Sequence, residues 1–338
     1  MLEIQKVLQE RYQLQQLLGQ NAGRQTWLAK DVGESPAQPV IVKLLAFNPQ
    51  LHWDELKLFE REAQVLKHLD HPRIPQYRNY FSIDQQMGEG LPWFGLVQEY
   101  IPGDSLQQLL DQGKRFTQEE AQKIATGVLE ILIYLHELSP PVFHRDIKPS
   151  NLILGKNKQI YLVDFGAVQD RATAEGVTFT VVGTSGYAPP EQLWGRAVAA
   201  SDLYALGATL IHLLTGTAPA DLPQRQMRIQ FSDRSRLNPR FSNWLEQLTE
   251  PAAERRFHSA RQALEALRVS QNLNSSNRKV GQSASRSVRY GRLAGLTLLQ
   301  LSLLGVAGLI IWQNFLGNPT VDPIKVKPAD SGTTEVGR

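Results

Sequence analysis

Asp146, Lys148, Asn151 and Asp164 lie within nineteen positions of one another and are of types suited to chemistry on an anionic oxygen substrate. A carboxylate can take the proton of a hydroxyl, and an ammonium two residues away can neutralise a charged group. Carboxylate and amide oxygens are also the hard donors that divalent cations prefer. Rival chemistries are thinly supplied. The chain has no cysteine, which removes thiolate metal sites, disulfides and a cysteine nucleophile. His52, His68, His71, His136, His212 and His258 lack zinc-ligand spacing, and His144 reads as a packing residue of its loop.

These residues need elements to position them. The runs TWLAKDV, PVIVKLLAF and FGLVQEYI are rich in β-branched and aromatic residues and read as strands, with Lys43 near the end of the second. WDELKLFEREAQVLKHL places Leu56, Phe59, Ala63 and Leu66 at helical spacing and carries Glu62. Downstream the pattern turns helical, in EEAQKIATGVLEILIYLHEL, SDLYALGATLIHLLTG, FSNWLEQLTE and SARQALEALR. A small sheet-rich lobe is therefore followed by a larger helical lobe, and a site between them is a cleft.

The most specific stretch is His144-Arg145-Asp146-Ile147-Lys148-Pro149-Ser150-Asn151. Asp164-Phe165-Gly166 follows, with Asp164 thirteen residues past Asn151, and Ala188-Pro189-Pro190-Glu191 begins 22 residues past Gly166. Together these resemble the catalytic loop, metal-binding segment and Ala-Pro-Glu motif of protein kinases, and residues 11–267 are identified as a member of that family. The resemblance implies an α+β, two-lobed fold and an enzyme that moves the γ-phosphate of ATP to protein Ser or Thr hydroxyls. It makes Asp146 the base, Lys148 the partner of the transferring phosphate, and Asn151 and Asp164 the Mg²⁺ ligands. Lys43 would grip the phosphates while Glu62 holds it. Thr184 falls in the substrate-docking loop, Asp202 anchors the catalytic loop, and Arg256 pairs with Glu191. The resemblance also implies that main-chain groups of Glu99 and Ile101 bond the adenine edge and that Ile153 forms its floor.

Two regions depart from the family pattern. The glycine-rich phosphate cover falls on Gly19, Asn21, Gly23, Arg24 and Thr26, where only the first glycine matches in register. Asn21 tolerates positive φ, and the guanidinium of Arg24 is suited to touching phosphate directly. Near the adenine, Ile41 stands in place of the usual alanine and Gln98 guards the back of the pocket. These departures frame the alternative, a catalytically impaired pseudokinase acting as a membrane-bound nucleotide-binding scaffold. Retention of Lys43, Asp146, Asn151 and Asp164 favours catalysis. Arg145 before Asp146 points to control by phosphate in the activation segment, with Thr180 the expected site and Thr178 the second.

The remaining chain reads differently. Nine basic and three acidic residues follow Leu267, which leaves 27 basic and 30 acidic residues before it and no spread-out nucleic-acid footprint. Residues 268–292 hold six basic residues and no acid and read as a juxtamembrane linker. Leu293 to Trp312 then runs twenty residues without a formal charge, enough helix to cover the roughly 30 Å of a bilayer core. The expectation is a transmembrane helix over 293–316 and a short extracytoplasmic tail over 317–338. The basic collar keeps the kinase domain cytoplasmic and attracts anionic headgroups of the plasma membrane. Gly291 with Gly295, and Gly305 with Gly308, are small-residue pairs that suit a homodimer. Protein substrates and the lipid bilayer are the expected partners, and nucleic acid is not.

Overall fold

Strand alternation and one helix stripe decide where the first polar residues go. In the computed structural model, which describes residues 3–21, 23–47, 53–84, 92–167, 169–170, 184–231 and 237–271, the chain opens with a six-stranded antiparallel sheet. Its strands are β1 (Val7–Leu8), β2 (Tyr12–Asn21), β3 (Arg24–Asp31), β4 (Gln38–Ala46), β5 (Tyr77–Ile83) and β6 (Trp93–Glu99), in the order β1-β2-β3-β4-β6-β5. Helix α1 (Trp53–His68) joins β4 to β5.

β4 is central and buried along most of its length. Successive side chains of a strand point to opposite faces. Val42 and Leu44 therefore pack with Tyr12, Leu14 and Trp27, while Leu45 packs with Leu56, Phe59 and Ala63 of α1. Lys43 shares the face of Leu45, so the alternation aims its ammonium at α1. On α1 the buried stripe is Leu56, Phe59, Ala63 and Leu66, and Glu62 lies within that stripe at 3% exposure. A carboxylate among core positions needs a cationic partner.

The second lobe begins with β7 (Gly103–Ser105), α2 (Leu106–Asp111) and α3 (Gln118–His136). Both helices start with a capping box, Ser105 with Gln108 and Thr117 with Glu120. β8 (Val142–Phe143), β9 (Leu152–Gly155), β10 (Ile160–Leu162) and β11 (Gln169–Asp170) are short. β9 lies between β7 and β10, and β8 pairs with β11. Then come α4 (Pro190–Leu193), α5 (Ala199–Thr215), α6 (Pro239–Leu248) and α7 over 260–271.

α5 is buried all round from Ala200 to Leu213, as a helix at the middle of a core must be. It packs with α3 and α6 in one large apolar cluster that includes Leu129, Leu132, Leu206, Leu210, Trp244 and Leu245. The expected two-lobed arrangement is present, a curled sheet with one helix followed by a helical lobe. No helix among the described residues is long and apolar enough to cross a membrane. The expected linker at 268–292 enters the described residues only through 268–271. The expected span over 293–316, the tail over 317–338, and Thr178 and Thr180 lie outside them.

Candidate active site

Lys43 is the meeting point of the two lobes. Its Nζ donates to Glu62 Oε1 at 2.5 Å and to Asp164 Oδ1 at 2.6 Å. Burial works against the ammonium, but the carboxylates of Asp164 and Glu62 outweigh it and raise its pKa. In return Lys43 pulls the Asp164 carboxyl down to about 2, against burial. Glu62 moves the other way, because burial outweighs the pull of Lys43. The Asp164 side chain remains 45% exposed, so solvent reaches it and screens part of that pull. Asp164 sits at φ 67°, a left-handed backbone that aims its carboxylate back at the cavity. Next to it Gly166 leaves room for Glu62, since a Cβ there would lie 3.2 Å from Glu62 Oε2.

The catalytic loop is held from below by Asp202, which is fully buried on α5. Its Oδ2 accepts the His144 N–H at 3.0 Å and its Oδ1 the Arg145 N–H at 2.8 Å. His136 Nε2 also reaches Oδ2 at 2.9 Å. These bonds hold Arg145 at φ 67°, the turn that presents Asp146. Above the turn, His144 Nε2 lies 3.2 Å from the Val163 carbonyl, and its Nδ1 accepts the Asp146 N–H at 3.3 Å. That pattern suits the neutral ring, and burial lowers the His144 pKa accordingly.

Four side chains converge on the loop. Thr184 Oγ1 donates to Asp146 Oδ1 at 2.9 Å, and Asn151 Nδ2 donates to Asp146 Oδ2 at 3.0 Å. Lys148 Nζ is 2.8 Å from both Asp146 Oδ2 and Thr184 Oγ1. Because Asn151 spends its N–H₂ on Asp146, its amide oxygen is the end turned away from that carboxylate. A backbone bond from Val163 N to Asn151 O at 3.0 Å ties this residue beside Asp164. An exposed carboxylate and an amide oxygen are the hard, oxygen-only donor set that Mg²⁺ takes.

A cavity of about 240 Å³ lies between the β2–β3 hairpin and Lys43, Glu62 and Asp164, and Asp146, Lys148, Asn151 and Thr184 do not line it. Gly19, Asn21, Arg24 and Thr26 line it from above, and Lys43, Glu62 and Asp164 from below. A Cβ on Gly19 would meet nothing within 4 Å, so the backbone there leaves room for a bulky anion. Gly23 closes the hairpin at φ 78°. Arg24 Nε lies 3.6 Å from Glu55 Oε2 on α1. Glu99, Ile101 and Ile153 are not part of this cavity. Glu99 ends β6, Ile101 is buried just after it, and Ile153 lies in β9 opposite Ser105.

A family model described as protein kinase domain matches residues 12–273. The chain belongs to the protein kinase family. It is 36% identical over 279 residues to serine/threonine-protein kinase B of Synechocystis sp., covering 78% of this chain and 47% of that protein. Against serine/threonine-protein kinase PknA of Nostoc sp. it is 33% identical over 281 residues, 79% of this chain and 48% of the other. A probable serine/threonine-protein kinase of Streptomyces coelicolor is 34% identical over 215 residues, 62% of this chain and 31% of its own. The chain spans about half the length of the two cyanobacterial relatives.

The kinase fold is completed by a buried frame under the site. Arg256 forms a two-pronged pair with Glu191, Nη1 to Oε1 at 2.6 Å and Nη2 to Oε2 at 3.1 Å. It also donates to the Ala200, Glu250 and Pro251 carbonyls and lies over the Tyr204 ring. Ser201 adds a hydroxyl to Glu191 at 2.8 Å. Several participants escaped sequence reading. His136 reaches Asp202 from 66 residues away, and Gln192 donates to the Arg145 carbonyl at 2.6 Å from 47 away. Phe59 and Gln25 line the cavity beneath the β2–β3 hairpin. Only Phe59 carried a signal, its place on the apolar stripe of α1.

Proposed function

We propose that this chain is a membrane-anchored Ser/Thr protein kinase that transfers the γ-phosphate of ATP to Ser or Thr hydroxyls of proteins. The observation that carries the reading is the Thr184 contact. A threonine hydroxyl donates to Asp146 at 2.9 Å with the Lys148 ammonium 2.8 Å from both groups. An acceptor hydroxyl bound the same way would give its proton to Asp146, while Lys148 balances charge on the transferring phosphoryl group. Lys43, held by Glu62, orients the α- and β-phosphates, and Asn151 and Asp164 hold Mg²⁺. Mg²⁺ supplies charge neutralisation across the phosphate oxygens when bound. Main-chain groups of Glu99 and Ile101 take the adenine edge over Ile153.

Arg145 supports phosphate control. Its guanidinium is buried, its Nε has no hydrogen-bond partner among the described residues, and burial lowers its pKa against the pull of Asp202, with Arg61 adding to the fall. A phosphate on Thr180, or on Thr178, would offer Arg145 a further anion. Phosphopeptide mass spectrometry of active protein is expected to find one of these sites, and full activity of Thr178→Ala/Thr180→Ala would remove the switch. The uncharged run from Leu293 and the basic collar before it support a single-pass anchor with the kinase domain in the cytoplasm, able to pair as a homodimer. Protease added to intact spheroplasts would then spare the kinase domain and trim only a tag at Arg338. Digestion of the kinase domain with a cytoplasmic control protected would reverse the topology. The enzymatic reading is tested by single-turnover transfer from γ-labelled ATP with Mg²⁺ to the protein itself and to a Ser/Thr peptide library. Absence of transfer would leave the scaffold reading.

A further inference from the structure

The phosphate cover carries a guanidinium where a glycine-rich loop would offer only backbone. The charged residues lining the cavity are Arg24, Lys43, Glu62 and Asp164. Lys43 is committed to two carboxylates at 2.5 and 2.6 Å. Arg24 is committed to much less. Its ion pair among the described residues is with Glu55, at 3.6 Å, and the two side chains are 37% and 40% exposed. An exposed pair at that distance holds weakly, whereas a guanidinium meets phosphate oxygens through two parallel charge-assisted bonds.

Glu55 is well placed to matter. It lies seven residues before Glu62 on α1, two turns along the same face, so its carboxylate stands on the wall that carries the Lys43 partner. The β2–β3 register pairs Arg24 with Asn21 at the closing end of the hairpin, so the Arg24–Glu55 contact ties the tip of the cover to the first turns of α1. A polyanion entering beneath the cover meets the lightly held Arg24, whose partner Glu55 lies outside the cavity lining.

We propose that Glu55 competes with the nucleotide phosphates for Arg24, so that binding moves the guanidinium from α1 to the phosphate chain and Glu55 sets the affinity. This rests on the reading of the cavity as the ATP phosphate site. Glu55 is a positioning residue in this scheme, acting only through Arg24. Arg24 thereby restores the phosphate grip lost with the missing glycines and makes it adjustable from α1.

The test is calorimetric binding of ATP, ADP and adenosine, with Mg²⁺, to the full chain and to Glu55→Gln, Arg24→Gly, their combination and Lys43→Met. Glu55→Gln is expected to tighten ATP and ADP about two- to fivefold, the size an exposed pair supports, with adenosine unchanged. Arg24→Gly is expected to weaken ATP and ADP by at least as much. The double variant is expected to match Arg24→Gly, because without the guanidinium there is nothing to compete for. Weaker ATP binding in Glu55→Gln would make the pair a tether and overturn the proposal, as would additive effects. Unchanged binding in Arg24→Gly with weakened binding in Lys43→Met would sink the competition and leave the ATP site standing. Failure of the unaltered protein to bind ATP would take down both. Adenosine affinity and melting temperature, measured on every variant, separate these outcomes from damage to α1.

Discussion

Asp146 and Arg24 lie in two regions of the molecule that are held in opposite ways. Below, the backbone at Arg145 is fixed by both oxygens of a fully buried Asp202, itself braced by His136. Beneath that, the buried Arg256 forms a two-pronged pair with the partly buried Glu191 and further bonds to backbone carbonyls. Above, Arg24 ends a hairpin strand and reaches α1 through one exposed 3.6 Å pair. The floor is over-determined and the cover is not. The proposed phosphoryl transfer would need its hydroxyl, base and metal placed to within fractions of an ångström, whereas a lightly tied cover could adjust to its ligand.

The sharpest way to break this contrast is to attack the frame. Arg256→Ala removes a fully buried side chain and its backbone bonds and leaves the partly buried Glu191 without its cation, and is expected to cost about 3–5 kcal/mol in denaturant unfolding. A loss below about 1 kcal/mol would mean the floor is as loosely held as the cover. Chemistry comes next. Lys43→Met and Asp164→Ala are each expected to lower phosphoryl transfer by about a hundredfold or more in folded protein, and Lys43→Met, which leaves Glu62 at 3% exposure without its cation, is also expected to lower the melting temperature. Near-normal rates would remove them from the machinery.

Acid sensitivity belongs to the floor as well. Burial depresses the pKa of His144, and of His212 and His71, below the ordinary 6.5. The unfolded chain therefore takes up protons first as pH falls, so stability is complete above about 6.5 and declines below it. Asp164, depressed to about 2 from 3.8, adds a second loss between those values. Unfolding free energies at pH 7.5, 6.5 and 5.5 check the first window, and a flat profile would contradict it. The smallest effect is assigned to the cover. Arg24→Gly is expected to change folding stability by no more than about 0.5 kcal/mol.

The same contrast explains what was legible in the residues. The floor is written as contiguous motifs, 144–151 and 164–166, because a loop that places several groups at once must keep them close in the chain. Glu62 was legible through the protein-kinase resemblance, as the helix partner of Lys43, and its burial on the apolar stripe of α1 was not. The strands and helices expected around Lys43 and along the second lobe formed within a few residues of where the patterns placed them. β5 was not foreseen. Tyr77–Ile83 is only partly buried, so it lacks the alternation that marks β3. His136 and Gln192 were hidden because their bonds join residues far apart in the chain, and nothing local encodes such a pairing. The Arg24–Glu55 pair crosses from a hairpin to a helix and was equally silent.

The most direct measurement compares Asp146→Asn with Arg24→Gly in one steady-state and single-turnover experiment, with ATP concentration varied. The account predicts that Asp146→Asn loses kcat by about a hundredfold or more while KM for ATP stays close to that of the unaltered protein. It predicts that Arg24→Gly raises KM for ATP a few-fold and leaves kcat nearly intact. Retained kcat in a folded Asp146→Asn protein, or an equal collapse of kcat in Arg24→Gly, would contradict it.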